Sequence, residues 1–200
     1  MTAILSPQKT AIALKEWGSV VTAIVEGHQH ILIRKGGIIE KHDCFEVESN
    51  DFLFYPTFLH QDATRIDASK HHYLKQAEQF KRDDKTVNVT AFATVDKVLK
   101  VNRFEQLQAA LPLTIYNQHH IELLWHWKPE KPCYILLLKA FTLTSPIAVT
   151  DKPDYGGCVS WIELDEVKQQ IDTHQPIEMV PVLDDDAFAK IKTELKALVG

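Results

Sequence analysis

Hydrophobic positions fall into short runs along the chain, many with a period of two, so the spacing predicts more strands than helices. Residues 11–25 are apolar around Trp17 and Gly18, and the β-branched residues Val20, Val21, Thr22, Ile24 and Val25 predict a strand after Gly18. A tight turn at Glu26, Gly27, His28 and Gln29 then leads into a strand over 30–34, a hairpin that Gly36 and Gly37 end. Phe45 and Val47 alternate with Cys44, Glu46 and Glu48 as a short half-buried strand. Pro56 biases Tyr55 to an extended conformation at the end of the apolar run 52–55. Residues 87–101 predict one or two strands. Residues 133–143 form a central strand interrupted only by Lys139, and 159–164 a further strand. Trp125, His126 and Trp127 are expected to alternate faces on a strand, and 146–153 to form a loop.

Helical spacing is rarer. Tyr73, Ala77 and Phe80 mark an amphipathic helix within the polar stretch 67–86. Asn102 as N-cap, with Glu105 as its capping-box partner, starts a helix carrying Phe104, Leu107 and Leu111, which Pro112 closes. Asp165 caps a short helix with Val167 and Ile171, and Pro176 and Pro181 frame an extended segment. The acids 184–186 suit the N-terminus of a last helix bearing Phe188, Ile191, Leu195 and Leu198. Strands come as neighbours rather than in βαβ alternation. The class is therefore α+β, a largely antiparallel sheet or partly closed barrel, PUA-like by analogy, flanked by helices. No linker-like tract divides the chain, so 1–200 is read as a single domain, with a core over 11–164 and a C-terminal helical extension over 165–200.

Composition narrows the class of function. A hydrophobic content of 45% and a charged content of 24% are those of a soluble globule. The net charge of −5 argues against sequence-blind clamping of nucleic acid, which needs many cations on phosphate. Three widely spaced cysteines, Cys44, Cys133 and Cys158, point to a reducing, cytoplasmic compartment. The apolar run 134–138 stops at Lys139, far short of the ~20 residues of a membrane span, so no membrane partner is expected. Nothing in the pattern fixes an oligomeric state.

Candidate chemistry concentrates in residues 31–61. Arg34, Lys35, Gly36 and Gly37 combine cations with glycines that let backbone N–H groups approach an anion, although no nucleotide-loop motif is present. Tyr55, Thr57, His60 and Gln61 supply an aromatic face with donors and acceptors, the make-up of a ligand pocket on which an unpaired base can stack. Ten histidines invite a metal reading. His28 and His30 share a strand face but lack an acidic or thiolate partner close by, and the adjacent pairs His71-His72 and His119-His120 diverge if extended. No metal and no cofactor are expected. Cys158 carries no signal of a lowered thiol pKa and Ser160 lacks a nucleophile elbow, so no catalytic residue is assigned.

Four motifs, in order, carry a resemblance. They are Ala13-Leu14-Lys15-Glu16-Trp17, then Ile33-Arg34-Lys35-Gly36-Gly37-Ile38 with Glu40, then Phe52-Leu53-Phe54-Tyr55-Pro56-Thr57 with His60-Gln61. The last is Tyr155-Gly156-Gly157-Cys158 with Ser160-Trp161. Over residues 11–164 the chain resembles the bacterial, largely cyanobacterial family known as domain of unknown function 1802. The resemblance brings no activity and no catalytic residues. It implies a role near DNA recognition, because some members occur with an Mrr-type restriction endonuclease domain, a part these 200 residues do not contain.

Three functions follow as expectations. The first is a recognition module for nucleic acid or a modified base, accessory to restriction-type systems. In it Arg34 and Lys35 meet phosphate, Tyr55, His60 and Gln61 hold the base, and Thr57, Tyr155 and Trp161 complete the ligand site. The second is a small-molecule enzyme with His60 as acid or base beside Cys158 or Tyr155. The third is a protein-binding adaptor acting through 67–86.

Overall fold

The computed structural model describes residues 3–5 (backbone only), 11–35, 47–83, 85–157 and 159–199. Gly36, Gly37 and Cys158 lie outside the described residues, as does most of the strand expected over 44–48. The described architecture is α+β, one mixed and mostly antiparallel sheet flanked by helices, as the run of neighbouring strands predicts.

Two long strands, β6 (Thr86–Val101) and β7 (Cys133–Thr150), form the antiparallel centre. Their register shifts between Val89 and Ala91 and again between Val95 and Lys97. Bulges of this kind bend a strand. The first half of β7 pairs with β3 (Ile31–Lys35) and its later part with β9 (Ile177–Pro181), which pairs in turn with β1 (Ala3–Leu5). On the other side β6 pairs with β4 (Asp51–Thr57), β4 runs parallel to β2 (Ile12–Trp17), and β8 (Trp161–Glu163) follows β2 antiparallel. A short strand, β5 (Lys81–Asp83), pairs with the start of β6.

Alternation along the strands divides the interior. Phe52 and Phe54 of β4 join Leu136 and Leu138 of β7 in one core, while Leu53 and Tyr55 point to a second with Phe92, Val149 and Tyr155. Ile135 and Leu137 of β7 meet Ile31 and Ile33 of β3 in a third, closed by helices α3 (Phe104–Ala110), α4 (Gln118–His126) and α6 (Asp185–Val199). Helix α5 (Asp165–Asp172) covers the second core through Val167.

Several local expectations are corrected. Residues after Gly18 form a helix, α1 (Gly18–Val25), not a strand, and β3 pairs with β7 rather than in a hairpin with its predecessor. Every residue from Gly18 to Ile24 is buried, so the segment shows no polar face from which a helical period could be read. Trp125 and His126 lie in or at the end of α4, whose N-terminus Asn117 caps by accepting from the His120 N–H at 3.1 Å. The box at the start of α3 sits one residue later than expected: Gln106 Oε1 accepts from the backbone N–H groups of Asn102 and Arg103, at 2.9 and 3.2 Å. The loop expected over 146–153 is mostly strand, since β7 runs to Thr150. The polar stretch 67–86 is helical in short pieces, including α2 (His72–Gln76), with Tyr73, Ala77 and Phe80 buried as their spacing predicts.

Candidate functional site

The parallel pairing of β2 with β4 sets Lys15 opposite Tyr55, Glu16 opposite Pro56 and Trp17 opposite Thr57. Both strands end here, β2 passing straight into α1 and β4 into the turn at Phe58 and Leu59. Between these ends, Arg34 of β3 and the loop 151–157, a cleft of about 440 Å³ opens. That size falls within the range of small-ligand sites.

Its polar groups are held by one another. Arg34 Nη2 lies 2.9 Å from Glu16 Oε2 and donates to the Lys15 carbonyl at 2.8 Å; the two side chains are 19% and 8% exposed. Glu16 Oε1 accepts from the Trp17 N–H at 2.8 Å, so the carboxylate is bonded at both oxygens. Lys15 Nζ donates to the carbonyls of Tyr155 and Gly157, at 2.5 and 3.0 Å, pinning the far wall. Gly157 has φ +69°, in the left-handed region that glycine enters without a Cβ penalty.

Tyr55 is buried and its phenol donates to Asp151 Oδ1 at 2.8 Å. Burial, then the Asp151 carboxylate, pushes its pKa well above the ordinary phenol range, so at neutral pH it is a fixed donor. Its ring meets Tyr155 edge to face, 5.6 Å between centroids. Burial raises the Tyr155 pKa as well. His60, exposed and at φ 62°, stands on the rim beside the exposed Leu59.

Of the residues singled out from sequence, Arg34, Tyr55, Thr57, His60 and Tyr155 line this one cleft. Three others lie elsewhere. Lys35, next to Arg34 on a strand, faces away, and its Nζ donates to the Trp125 carbonyl at 2.6 Å. Gln61 turns inward, its Oε1 accepting from the Ser19 N–H in the first turn of α1 at 2.9 Å. Trp161 is 6% exposed and packs edge-on to Phe52, so it belongs to the core. Lys15, Glu16 and Asp151 were not singled out. A charged pair inside the apolar run before Gly18 was the available signal for the first two; Asp151 has none, since its role depends on where the chain returns.

Among the described residues no group of three or more His, Cys, Asp or Glu is placed to hold a metal ion. Cys133 is buried, and burial pushes its thiol up to about 11, which leaves it protonated and unreactive at neutral pH. Among the described residues no helix is long and apolar enough to cross a membrane.

A family model described as a domain of unknown function (DUF1802) matches residues 13–194. No curated protein matches the chain. Among solved structures, the crystal structure of ASCH from Zymomonas mobilis aligns with a TM-score of 0.46 at 13% identity, over 82% of this chain and 94% of that one. A tyrosine-to-phenylalanine mutant of that protein gives 0.47 at 11% identity, over 82% and 97%. A serine-to-alanine mutant gives 0.43 at 14%, over 94% and 98%.

Proposed function

The chain belongs to the family known as domain of unknown function 1802, which brings no activity with it, and from the cleft itself we propose a recognition module for an unpaired, plain or modified, nucleobase of a nucleic acid. The observation that carries this reading is convergence: Arg34, Tyr55, Thr57, His60 and Tyr155, from three separate stretches of chain, border one concavity. Among the described residues Lys15 and Arg34 are balanced there by Glu16 and Asp151, which supports a neutral ligand with polar edges over a run of phosphates. A nucleobase has those properties, offering donors and acceptors on its edge and a flat face for an aromatic wall. Recognition of a modified base is also the property through which such a module would serve a restriction-type system.

Binding to this cleft should depend only weakly on salt, because few phosphates are neutralised. Fluorescence anisotropy with single-stranded DNA and RNA, plain and base-modified, at low salt tests the reading. Arg34→Lys keeps the charge but loses the planar fork, and Thr57→Val removes a hydroxyl from the rim. Each is expected to weaken binding by roughly 10-fold. Absence of affinity for every strand, or affinity indifferent to both substitutions, contradicts it.

The reading as an enzyme based on His60 finds less support. A general base is ordinarily oriented by a second group, and His60 has no such hydrogen-bond partner among the described residues.

A further inference from the structure

Asp151 lines the cleft one residue past the end of β7, and the chain fixes it although it is exposed. The Thr150 N–H before it donates to Glu166 Oε1 at 3.0 Å, its own N–H donates to the Lys85 carbonyl at 2.7 Å, and Lys152 after it pairs with Asp165. Its side chain is held as well, since Oδ1 accepts at 2.8 Å from the phenol of the buried Tyr55.

The other oxygen differs. Among the described residues Oδ2 of Asp151 takes no hydrogen bond and no cation pairs with the group, whereas Glu16 is bonded at both oxygens. An ionised carboxyl only accepts, and the hydrogen bonds it accepts are the strong, charge-assisted kind. A ligand edge that offers donors therefore gains at Asp151, and one that turns carbonyl oxygens or ring-nitrogen lone pairs towards it is repelled.

We propose that Asp151 is the specificity-determining residue of the cleft and that the base it selects is guanine, read on the edge left open when the base is unpaired. This rests on the reading of the cleft as a nucleobase site. On that edge guanine carries N1–H and N2–H side by side, two parallel donors spaced to meet the two oxygens of a carboxylate as the arginine fork does. Oδ1 keeps a lone pair beside the one that Tyr55 uses. Adenine and cytosine set an acceptor nitrogen next to their amine, and uracil and thymine flank their one N–H with carbonyl oxygens, so each turns an acceptor towards the carboxylate.

The test is fluorescence anisotropy of the full chain, at low salt, with labelled oligothymidylate strands that carry guanine, hypoxanthine, adenine, cytosine or thymine at one central position. Hypoxanthine is guanine without the N2 amine. The guanine strand is expected to bind ~10-fold or more tightly than the hypoxanthine strand, and the other three to be weaker than guanine by at least as much. Asp151→Asn keeps the shape, but with its carbonyl oxygen still taken by Tyr55 it turns an N–H donor to the ligand. It is expected to lower affinity for the guanine strand by ~10-fold or more and to leave the all-thymine strand unchanged or tighter. A role limited to holding Tyr55 would weaken every strand alike. Equal affinity of the unaltered chain for the guanine and hypoxanthine strands, or a loss in Asp151→Asn shared by all strands, overturns the proposal. The first comparison needs no variant and so decides the matter even if Asp151→Asn does not fold. Where strands bind in either of those ways and Thr57→Val still weakens them, the nucleobase reading survives and the choice of guanine alone falls; if no strand binds, both fall.

Discussion

At Tyr55 and His120 burial moves the pKa in opposite directions, and both shifts have consequences for stability. The His120 ring stacks on Tyr116 at 3.9 Å, and burial, with Arg65 and His119 adding to it, holds its pKa down at about 4 against an ordinary 6.5. Above pH 6.5 the ring is neutral folded or unfolded. As pH falls towards 4 only the unfolded chain takes the proton, so the fold loses up to about 3 kcal/mol across that window. His30, lowered chiefly by burial, adds a loss of the same sign. His120→Phe is therefore expected to flatten, without abolishing, the fall in urea midpoint between pH 6.5 and 4. An unchanged slope contradicts the assignment. Tyr55 works the other way: its raised pKa gives stability that is complete below pH ~10 and is lost above it as the unfolded chain ionises. Tyr55→Phe should cost about 1 kcal/mol at neutral pH, by loss of the bond to Asp151, and remove that alkaline dependence, both read by denaturant titration.

Helix α1 is the element on which the cleft's geometry turns, because it begins where β2 ends. A Cβ on Gly18 would lie 3.1 Å from Ala77 Cβ and 3.2 Å from Phe58 Cε1. Gly18→Ala should thus destabilise by about 1 kcal/mol, overpacking outweighing the gain in helix propensity. A rise in Tm in this variant would contradict the close approach. This helix was illegible in the sequence for a physical reason: it is β-branched and buried on every side, so neither propensity nor period announced it. Elements with a strand-length apolar run or with charge at one end were easier. Residues 133–143, read as a central strand, do lie at the heart of the sheet, and the acids 184–186 do stand at the start of α6, Asp185 and Asp186 in its first turn and Asp184 just before it, with Asp184 Oδ1 accepting from the Ala187 N–H at 2.7 Å.

For the whole molecule, the decisive feature is how β3 divides its two cations. Arg34 faces the cleft between β2 and β4, and Lys35 the cleft beside α4, so the basic pair read from the sequence as one anion site serves two separate concavities. Alternation along a strand was enough to foresee that split. The pairing of β2 with β4 was not foreseeable in the same way, because a parallel neighbour leaves no local mark, and it alone brings Lys15 and Glu16 to Tyr55 and Thr57. Hydrogen exchange of the full chain, with and without saturating single-stranded oligonucleotide, tests the central claim most directly. The account predicts slowed exchange confined to residues 15–19, 57–61 and 151–157, with the effect lost in Thr57→Val. Protection absent from those stretches, or confined to 67–86, would show that the first cleft is not where the chain meets its ligand.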